Sequence, residues 1–351
     1  MDALPGFFTS PIPSLTSLEL QQTRQPAEVF PSDEASTSTL FQSVSKLKSL
    51  HLTRTPLSPA VLSITSLVEL KLIDYTTPFH FGKFIKFLCS NPNLELIVLH
   101  LRFTEGSVSV APERKAPLPQ LQRLALTCDS ATDARALLSW VSLRRGSQVA
   151  IKGSQSNLCT DLALFLPSPP TSIQEFLNPI TAIECYPRQL RVFGGDGQLS
   201  FQGSGAKKAD LTLLETGAVC KFHTDVYNLG PDGLAHYFRI LPALEVLTLS
   251  GTRLPPGGHL PSGLFSPLAE EPVLCPSLKT IAFLDCKVAK GIIKELEEVV
   301  AKRRVSTAAR LYRVVIINNT RALPDLQLIH QLRRLVPRVD VGVGDELPDL
   351  L

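Results

Sequence analysis

Cys220-Lys-Phe-His223 sets a thiol and an imidazole at an interval that suits two ligands of a zinc ion. Such a site needs three or four ligands, and no second Cys/His pair stands at a comparable spacing. The stretch therefore reads as a half-buried cysteine beside an exposed histidine. Gly194-Gly-Asp-Gly197 offers the glycines of a phosphate cradle. It has neither a following Lys-Ser/Thr nor a Gly-x-Gly-x-x-Gly spacing, so it reads as a hairpin turn. No Gly-x-Ser-x-Gly elbow and no His-Glu-x-x-His is present. The histidines at 51, 80, 100, 223, 236, 259 and 330 are dispersed without pairing. The expectation is no catalytic set, no cofactor, no metal, and a protein that is not an enzyme.

Two basic clusters stand out: Lys302-Arg-Arg304 with Arg310 and Arg313, and Arg333, Arg334 and Arg338. Both read as solvated helix C-termini, where bases suit the helix dipole. Against the acidic-partner alternative for the first cluster, Arg303 and Arg304 are expected to point to water. The net charge of +3 is small and no Lys/Arg block is interleaved with aromatics, so nucleic acid is not an expected partner. No apolar run reaches the ~18 residues of a membrane span. The opening Met1-Asp-Ala-Leu-Pro-Gly-Phe-Phe lacks the basic start and apolar core of a signal peptide. Seven scattered cysteines, none before 89 or after 286, point to a reducing compartment, cytoplasmic or nuclear.

What the chain has instead of a chemical motif is a spacing. Aliphatic or aromatic residues recur at positions 1, 4 and 6 of a short segment. The clear copies are Leu15/Leu18/Leu20, Leu47/Leu50/Leu52, Leu67/Leu70/Leu72, Leu94/Ile97/Leu99, Leu121/Leu124/Leu126 and Leu244/Leu247/Leu249. Leu278/Ile281/Phe283 and Leu311/Val314/Ile316 follow with substitutions, and Ile180/Ile183/Cys185 and Val336/Val339/Val341 are weaker. Positions 4 and 6 share one side of a strand, because side chains alternate. Position 1 closes the same core at the turn before it. This is the leucine-rich-repeat signature, in which each unit buries its apolar edge only against a neighbour. Position 9 asks for a side chain that satisfies backbone groups: Cys286 and Asn319 stand there, and Thr23, Thr55 and Thr252 in other copies.

Prolines punctuate the strand entries, as in Pro92-Asn-Leu94, Pro119-Gln-Leu121, Pro242-Ala-Leu244 and Pro276-Ser-Leu278. Between copies, helical spacing predicts helices over Phe79–Ser90, Thr132–Leu143, Gly233–Ile240 and Gly291–Arg304. First positions from Leu47 are 20, 27 and 27 apart, and from Leu244 they are 34, 33 and 25 apart. Regular repeats run about 20–29 residues, so the array is irregular.

The fold class is therefore α/β, an irregular leucine-rich-repeat solenoid: a curved parallel sheet with helices and loops on the convex side. It is read as a single solenoid over 1–351. Residues 1–126 hold the more regular repeats, 127–232 an irregular segment, 233–345 the C-terminal repeats, and 346–351 a tail. Leu190–Phe193, Leu199–Phe201 and Leu211–Leu213 are expected to form a small antiparallel meander in the irregular segment, and Gly251–Cys275 a long loop. Side chains flanking positions 4 and 6 are expected on the concave face. The candidate partner-binding set there is His51, Arg54, Lys71, Asp74, Arg123, Glu245, Lys279, Asp285, Tyr312 and Arg313. Exposed charged and aromatic residues on a rigid scaffold are the usual elements of recognition.

Leu241-Pro-Ala-Leu-Glu-Val-Leu-Thr-Leu249, Leu274-Cys-Pro-Ser-Leu-Lys-Thr-Ile281 and Leu311-Tyr-Arg-Val-Val-Ile316, with the opening Pro13-Ser-Leu-Thr-Ser-Leu-Glu-Leu20, resemble the leucine-rich regions of fungal mushroom-type F-box proteins. The resemblance implies substrate recognition within a cullin-type ubiquitin ligase. In that family an F-box binds a Skp1-type adaptor. Leu4-Pro5-Gly6 lacks the acid and apolar run that open an F-box, so the adaptor is implied only where an F-box lies upstream. The alternative is a leucine-rich regulator of a signalling protein with no ligase link.

Overall fold

Alternation dominates the strands. Residues of Leu50-His-Leu52 type bury every second side chain, and the pleat puts the intervening ones on the opposite face. The computed structural model describes residues 14–21, 46–54, 59–74, 80–101, 115–128, 130–153, 165–167, 175–186, 189–202, 214, 216–226, 231–251, 260–271, 273–306, 310–318 and 326–343. The chain divides into two units, Met1–Leu177 with Asp196–Gly203, and Asn178–Gly195 with Ser204–Leu351.

The first unit carries β1 (Ser17–Gln21), β2 (Ser49–Thr53), β3 (Glu69–Ile73), β4 (Leu96–Leu101), the short β5 (Ala116–Pro117), β6 (Arg123–Cys128), the short β7 (Val141–Ser142) and β8 (Gln148–Gly153). Two helices, α1 (Phe81–Cys89) and α2 (Ala131–Trp140), lie between strands. A strand reached later along the chain, β11 (Gly197–Gln202), completes this sheet. Its order is β1-β2-β3-β4-β6-β8-β11, and each of the six pairings is parallel. The register stacks position 4 as Leu18, Leu50, Leu70, Ile97, Leu124, Val149 and Leu199, and position 6 as Leu20, Leu52, Leu72, Leu99, Leu126, Ile151 and Phe201. Phe81, Phe84, Phe87 and Leu88 of α1 are buried in the same unit. Burying each such aliphatic or aromatic side chain contributes about 1.5–3 kcal/mol.

The second unit carries β9 (Ile180–Tyr186), β10 (Gln189–Gly194), β12 (Lys221–Asp225), β13 (Val246–Ser250), β14 (Thr280–Leu284), β15 (Arg313–Asn318) and β16 (Arg338–Val343). Its helices are α3 (Pro231–Ile240), α4 (Ser266–Glu270), α5 (Lys290–Arg304) and α6 (Leu326–Leu335). The strand order is β10-β9-β12-β13-β14-β15-β16, antiparallel only between β10 and β9.

A backbone device repeats in both units. The position-2 carbonyl of one repeat accepts two N–H groups from the next: Lys48 from Val68 and Glu69, Glu95 from Gln122 and Arg123, Cys220 from Glu245 and Val246, Glu245 from Lys279 and Thr280. Strand entries are thereby tied without side chains, which leaves the side chains free to vary. The fold is the α/β leucine-rich-repeat solenoid that the spacing predicts, and all ten copies of the motif supply a strand.

Several expectations change in detail. Val149 and Ile151 of β8, and Phe222 of β12, occupy repeat positions that no 1-4-6 match marked. In β8 the first position is Gly146, at φ 87, and in β12 the sixth is Thr224, so the pattern is broken once in each. Of the meander, β10 pairs antiparallel with β9, and Leu199–Phe201 lies in β11, parallel to β8. Leu211–Leu213 falls outside the described residues. Gly251–Cys275 is not only loop: Leu260, Leu264, Phe265 and Leu268 are buried and α4 forms there. Its entry is held by α5, where the Glu295 carboxylate accepts from the Gly263 and Phe265 N–H groups at 2.6 and 2.9 Å.

The turn at Gly194-Gly-Asp-Gly197 is formed, with Gly195 and Asp196 at φ 52 and 66. Gly197 is needed for space. A Cβ there would sit 2.9 Å from the Ser147 carbonyl oxygen and 3.2 Å from the Phe176 ring. Gly197→Ala is expected to destabilise the chain by about 2 kcal/mol, read as a lower urea midpoint.

Asn91, which precedes the β4 entry, is fully buried. Its side-chain oxygen accepts from Leu67 N–H at 3.1 Å, and its amide donates to the carbonyls of Ile64 and Phe87 at 2.7 and 3.0 Å. One side chain thus joins three backbone groups from two repeats. Asn91→Leu keeps the branched outline with bulkier methyl ends and strands all three. The expected loss is about 2–3 kcal/mol in urea unfolding.

Candidate functional site

Positions 3, 5 and 7 of each strand face away from the leucine core. In the first unit this open face is Ser49, His51 and Thr53 on β2; Glu69, Lys71 and Ile73 on β3; Leu96, Val98 and His100 on β4; Arg123, Ala125 and Thr127 on β6. Gln148, Ala150 and Lys152 follow on β8, and Gln198, Ser200 and Gln202 on β11. Every one is partly or fully exposed, while positions 4 and 6 beside them are buried.

The ten candidate residues do not gather at one point. Five lie in each unit, spread over several repeats. In the first unit, His51 Nδ1 is 3.2 Å from Glu19 and its Nε2 is 3.2 Å from Thr53 Oγ1. Asp74 joins Arg54 and His100, each at 3.2 Å, and Lys71 lies 3.8 Å from Glu69. Arg123 is exposed at the start of β6. In the second unit, Lys279 pairs with Glu245 at 3.0 Å. Asp340 accepts from Arg313 and, at 3.0 Å, from Arg338. Burial alone would raise the Asp340 carboxyl, but hydrogen bonds from Arg338 and Arg313 outweigh it and hold the group below its usual range. Tyr312 is 55% exposed, a large ring left in water.

Arg54, Asp74 and Asp285 share a further property. Each follows its strand directly, with φ of 55, 51 and 52. The left-handed region is tolerated by Asp and disfavoured for most other side chains. These three residues therefore make the turn that leaves the sheet, whatever else they contact.

Two sequence expectations are overturned. His223 is not exposed. It is 6% accessible, because it stands at position 5 of β12 between Glu184 of β9 and Thr248 of β13 in register. Burial pushes its pKa down to about 4, against an opposing pull from Asp225 and with a further push from Arg191. Arg303 is not solvated at a helix end. It is 1% accessible and its guanidinium donates to the carbonyls of Leu278, Leu274 and Cys275 at 3.2, 2.7 and 3.0 Å. An amphipathic turn of α5 places it inward, while Lys302 and Arg304 point to water. Arg303 is therefore not a contact for an acidic partner.

The open-side positions of the second unit were the part sequence reasoning missed. Glu184, His223, Asp225, Thr248 and Ser250 are all at most 6% accessible, beside the buried Ala282, Val315 and Ile317. Arg191 reaches Glu184 at 3.2 Å. The only signal was the polar residue at positions 5 and 7 of two neighbouring repeats, which reads the same for a wet face as for a covered one.

The expected position-9 role is visible at Cys286, whose thiol lies 3.4 Å from the Leu249 carbonyl and 3.2 Å from that of Leu284. Asn319, Thr23, Thr55 and Thr252 lie outside the described residues. Burial pushes the Cys185, Cys275 and Cys286 thiols up to about 12, so they remain protonated. Among the described residues no three His, Cys, Asp or Glu side chains are placed to hold a metal ion. No described helix is long and apolar enough to cross a membrane.

No protein-family model matches the chain, and no curated protein matches it. Among solved structures, the leucine-rich repeat-containing protein LegL7 from Legionella pneumophila is similar at 12% identity, over 97% of this chain and 87% of its own, with a TM-score of 0.30. The repeat register of the strands, independent of that neighbour, identifies the architecture as a leucine-rich-repeat array.

Proposed function

We propose that this chain is a non-catalytic scaffold that holds a protein partner on the open face of its first unit. One observation carries the reading: seven parallel strands present positions 3, 5 and 7 to solvent in ordered rows, backed by a packed leucine core. A surface so backed loses little entropy on binding, which favours recognition. Its finer form is substrate recognition resembling that of F-box subunits of cullin-type ubiquitin ligases. The support is the resemblance of Leu241–Leu249, Leu274–Ile281 and Leu311–Ile316 to that family. A cytoplasmic or nuclear site fits the free thiols.

The test is affinity capture with the full chain and with Ala125→Trp/Ala150→Trp, which raises bulk in the middle of the face. Partners captured by the parent and lost by the double variant are the expected result. An unchanged set of partners overturns the scaffold reading. Co-purification of adaptor and cullin peptides supports the ligase form, and their absence from a specific partner set favours a leucine-rich regulator instead.

A further inference from the structure

The first unit's open face is uneven in charge. Over β1 to β4 its charges are spent on one another: Glu19 with His51, Glu69 with Ser49 and Lys71, Asp74 with Arg54 and His100. Over β6, β8 and β11 the pattern changes. The middle row is Ala125, Ala150 and Ser200, in register, and forms a floor of small side chains. Around it stand Arg123, Thr127, Gln148, Lys152, Gln198 and Gln202. Arg123 and Lys152 are exposed, and neither enters an ion pair or hydrogen bond with a described side chain. No carboxylate occupies an open-face position of β4, β6, β8 or β11. The adjoining acids among the described residues include Glu95, at the turn before β4, which accepts from Gln122 at 3.4 Å, and Asp196, exposed in the turn that enters β11.

We propose that this strip binds an extended acidic peptide segment of a protein partner, with two carboxylates four residues apart and a small side chain between them. The proposal rests on the scaffold reading above and deepens it. The spacing follows from the register. Arg123 is opposite Gln148, and Lys152 is opposite Thr127, so the two cations stand four residues apart along neighbouring strands. At about 3.3 Å per residue and 4.8 Å between strands, this is about 14 Å. An extended peptide lying along the strands carries its i and i+4 side chains on one face at nearly the same distance, with i+2 over Ala125 and Ala150. Charge complementarity selects the acids. The absence of side-chain bulk in the middle row lets the peptide backbone approach, and Gln148 and Gln198 offer amides to its polar groups. A carboxylate meeting Arg123 can be held by two parallel N–H donors, which a lysine cannot supply.

The experiment is fluorescence anisotropy on the full chain with labelled ten-residue peptides. One has Asp at i and i+4 with Ala between, a second has Asn at both positions, and a third has Lys. The acidic peptide is expected to bind, and the Asn and Lys peptides to bind at least about tenfold more weakly. Arg123→Glu/Lys152→Glu should abolish binding of the Asp peptide and gain binding of the Lys peptide. Lys279→Glu, in the second unit, should change nothing. Thermal melts of each variant confirm folding, since all three positions are exposed. Equal binding of Asp and Asn peptides, or binding that survives the charge reversal, overturns the proposal. A single-stranded twelve-nucleotide DNA that binds more tightly than the acidic peptide through the same two residues also overturns it. The scaffold reading fails separately, in the capture experiment with the tryptophan variant: partners lost there while the acidic peptide never binds would refute only the acidic strip.

Discussion

Arg303→Ala is expected to destabilise the second unit by about 4 kcal/mol, the combined cost of three buried carbonyls left without their donor and of a large cavity. The guanidinium sits at the last turn of α5 and donates to three carbonyls in the turn Leu274–Leu278 that leads into β14. That turn includes Cys275 at φ 45, a strained conformation for a side chain with a Cβ. Without the guanidinium, the carbonyls lose their donors in a place where water enters poorly, and a cavity of arginine size opens. Arg303→Met separates these effects, because it keeps the volume and removes the hydrogen bonds; about half the loss should remain. Arg304→Ala, one residue on but exposed, should fall within about 0.5 kcal/mol of the parent. Urea midpoints for the three variants decide the matter. Equal behaviour of Arg303→Ala and Arg304→Ala would show that the buried arginine does not hold this turn.

The second large effect is in pH. His223 titrates near 4 in the folded chain and near 6.5 when unfolded. Between those values the unfolded chain takes up the proton and the folded chain does not. Stability is therefore full above about pH 6.5 and falls as the pH drops toward 4, by about 3 kcal/mol over the window. The groups facing the imidazole are Asp225 on its own strand, Glu184 on β9 and Arg191 on β10. Asp225 moderates the shift and the arginine deepens it. His223→Asn removes the titration. The difference between parent and variant in unfolding free energy, measured every half unit from pH 4 to 8, should slope through this window and be flat above it. A constant difference would mean that the imidazole is not held neutral by burial.

Legibility differed between the backbone and the site. The 1-4-6 spacing located ten strands because it encodes two requirements that every repeat shares: alternate burial in the strand and an apolar residue at the entry turn. It missed β8, β11 and β12 for one local reason each: at β11 the first position is Asp196, at φ 66. Gly146 supplies a left-handed turn where a leucine was sought, and Thr224 stands in the core at position 6 of its strand. The helices at Phe81–Cys89 and Lys290–Arg304 were legible from their faces, yet the inward turn of Arg303 was not. A cationic last turn is the same string of letters whether one residue points in or none does. The polar row of β12 and β13 had the same ambiguity.

By itself, the sequence determined the repeat architecture, the alternation that separates a leucine core from a polar face, and the absence of any recognised catalytic motif. These are short-range properties, set by side-chain period and turn chemistry within one repeat. Only the tertiary structure decided which polar side chains are spent on neighbours and which are left over. His51, Arg54, Lys71, Asp74, Glu245, Lys279 and Arg313 are engaged by residues 2 to 34 positions away, whereas Arg123 stands beside a floor made by Ala125 of its own repeat and Ala150 of the next. Whether a charge is satisfied depends on what the parallel register brings beside it, and that register is a relation between repeats rather than a property of any one of them.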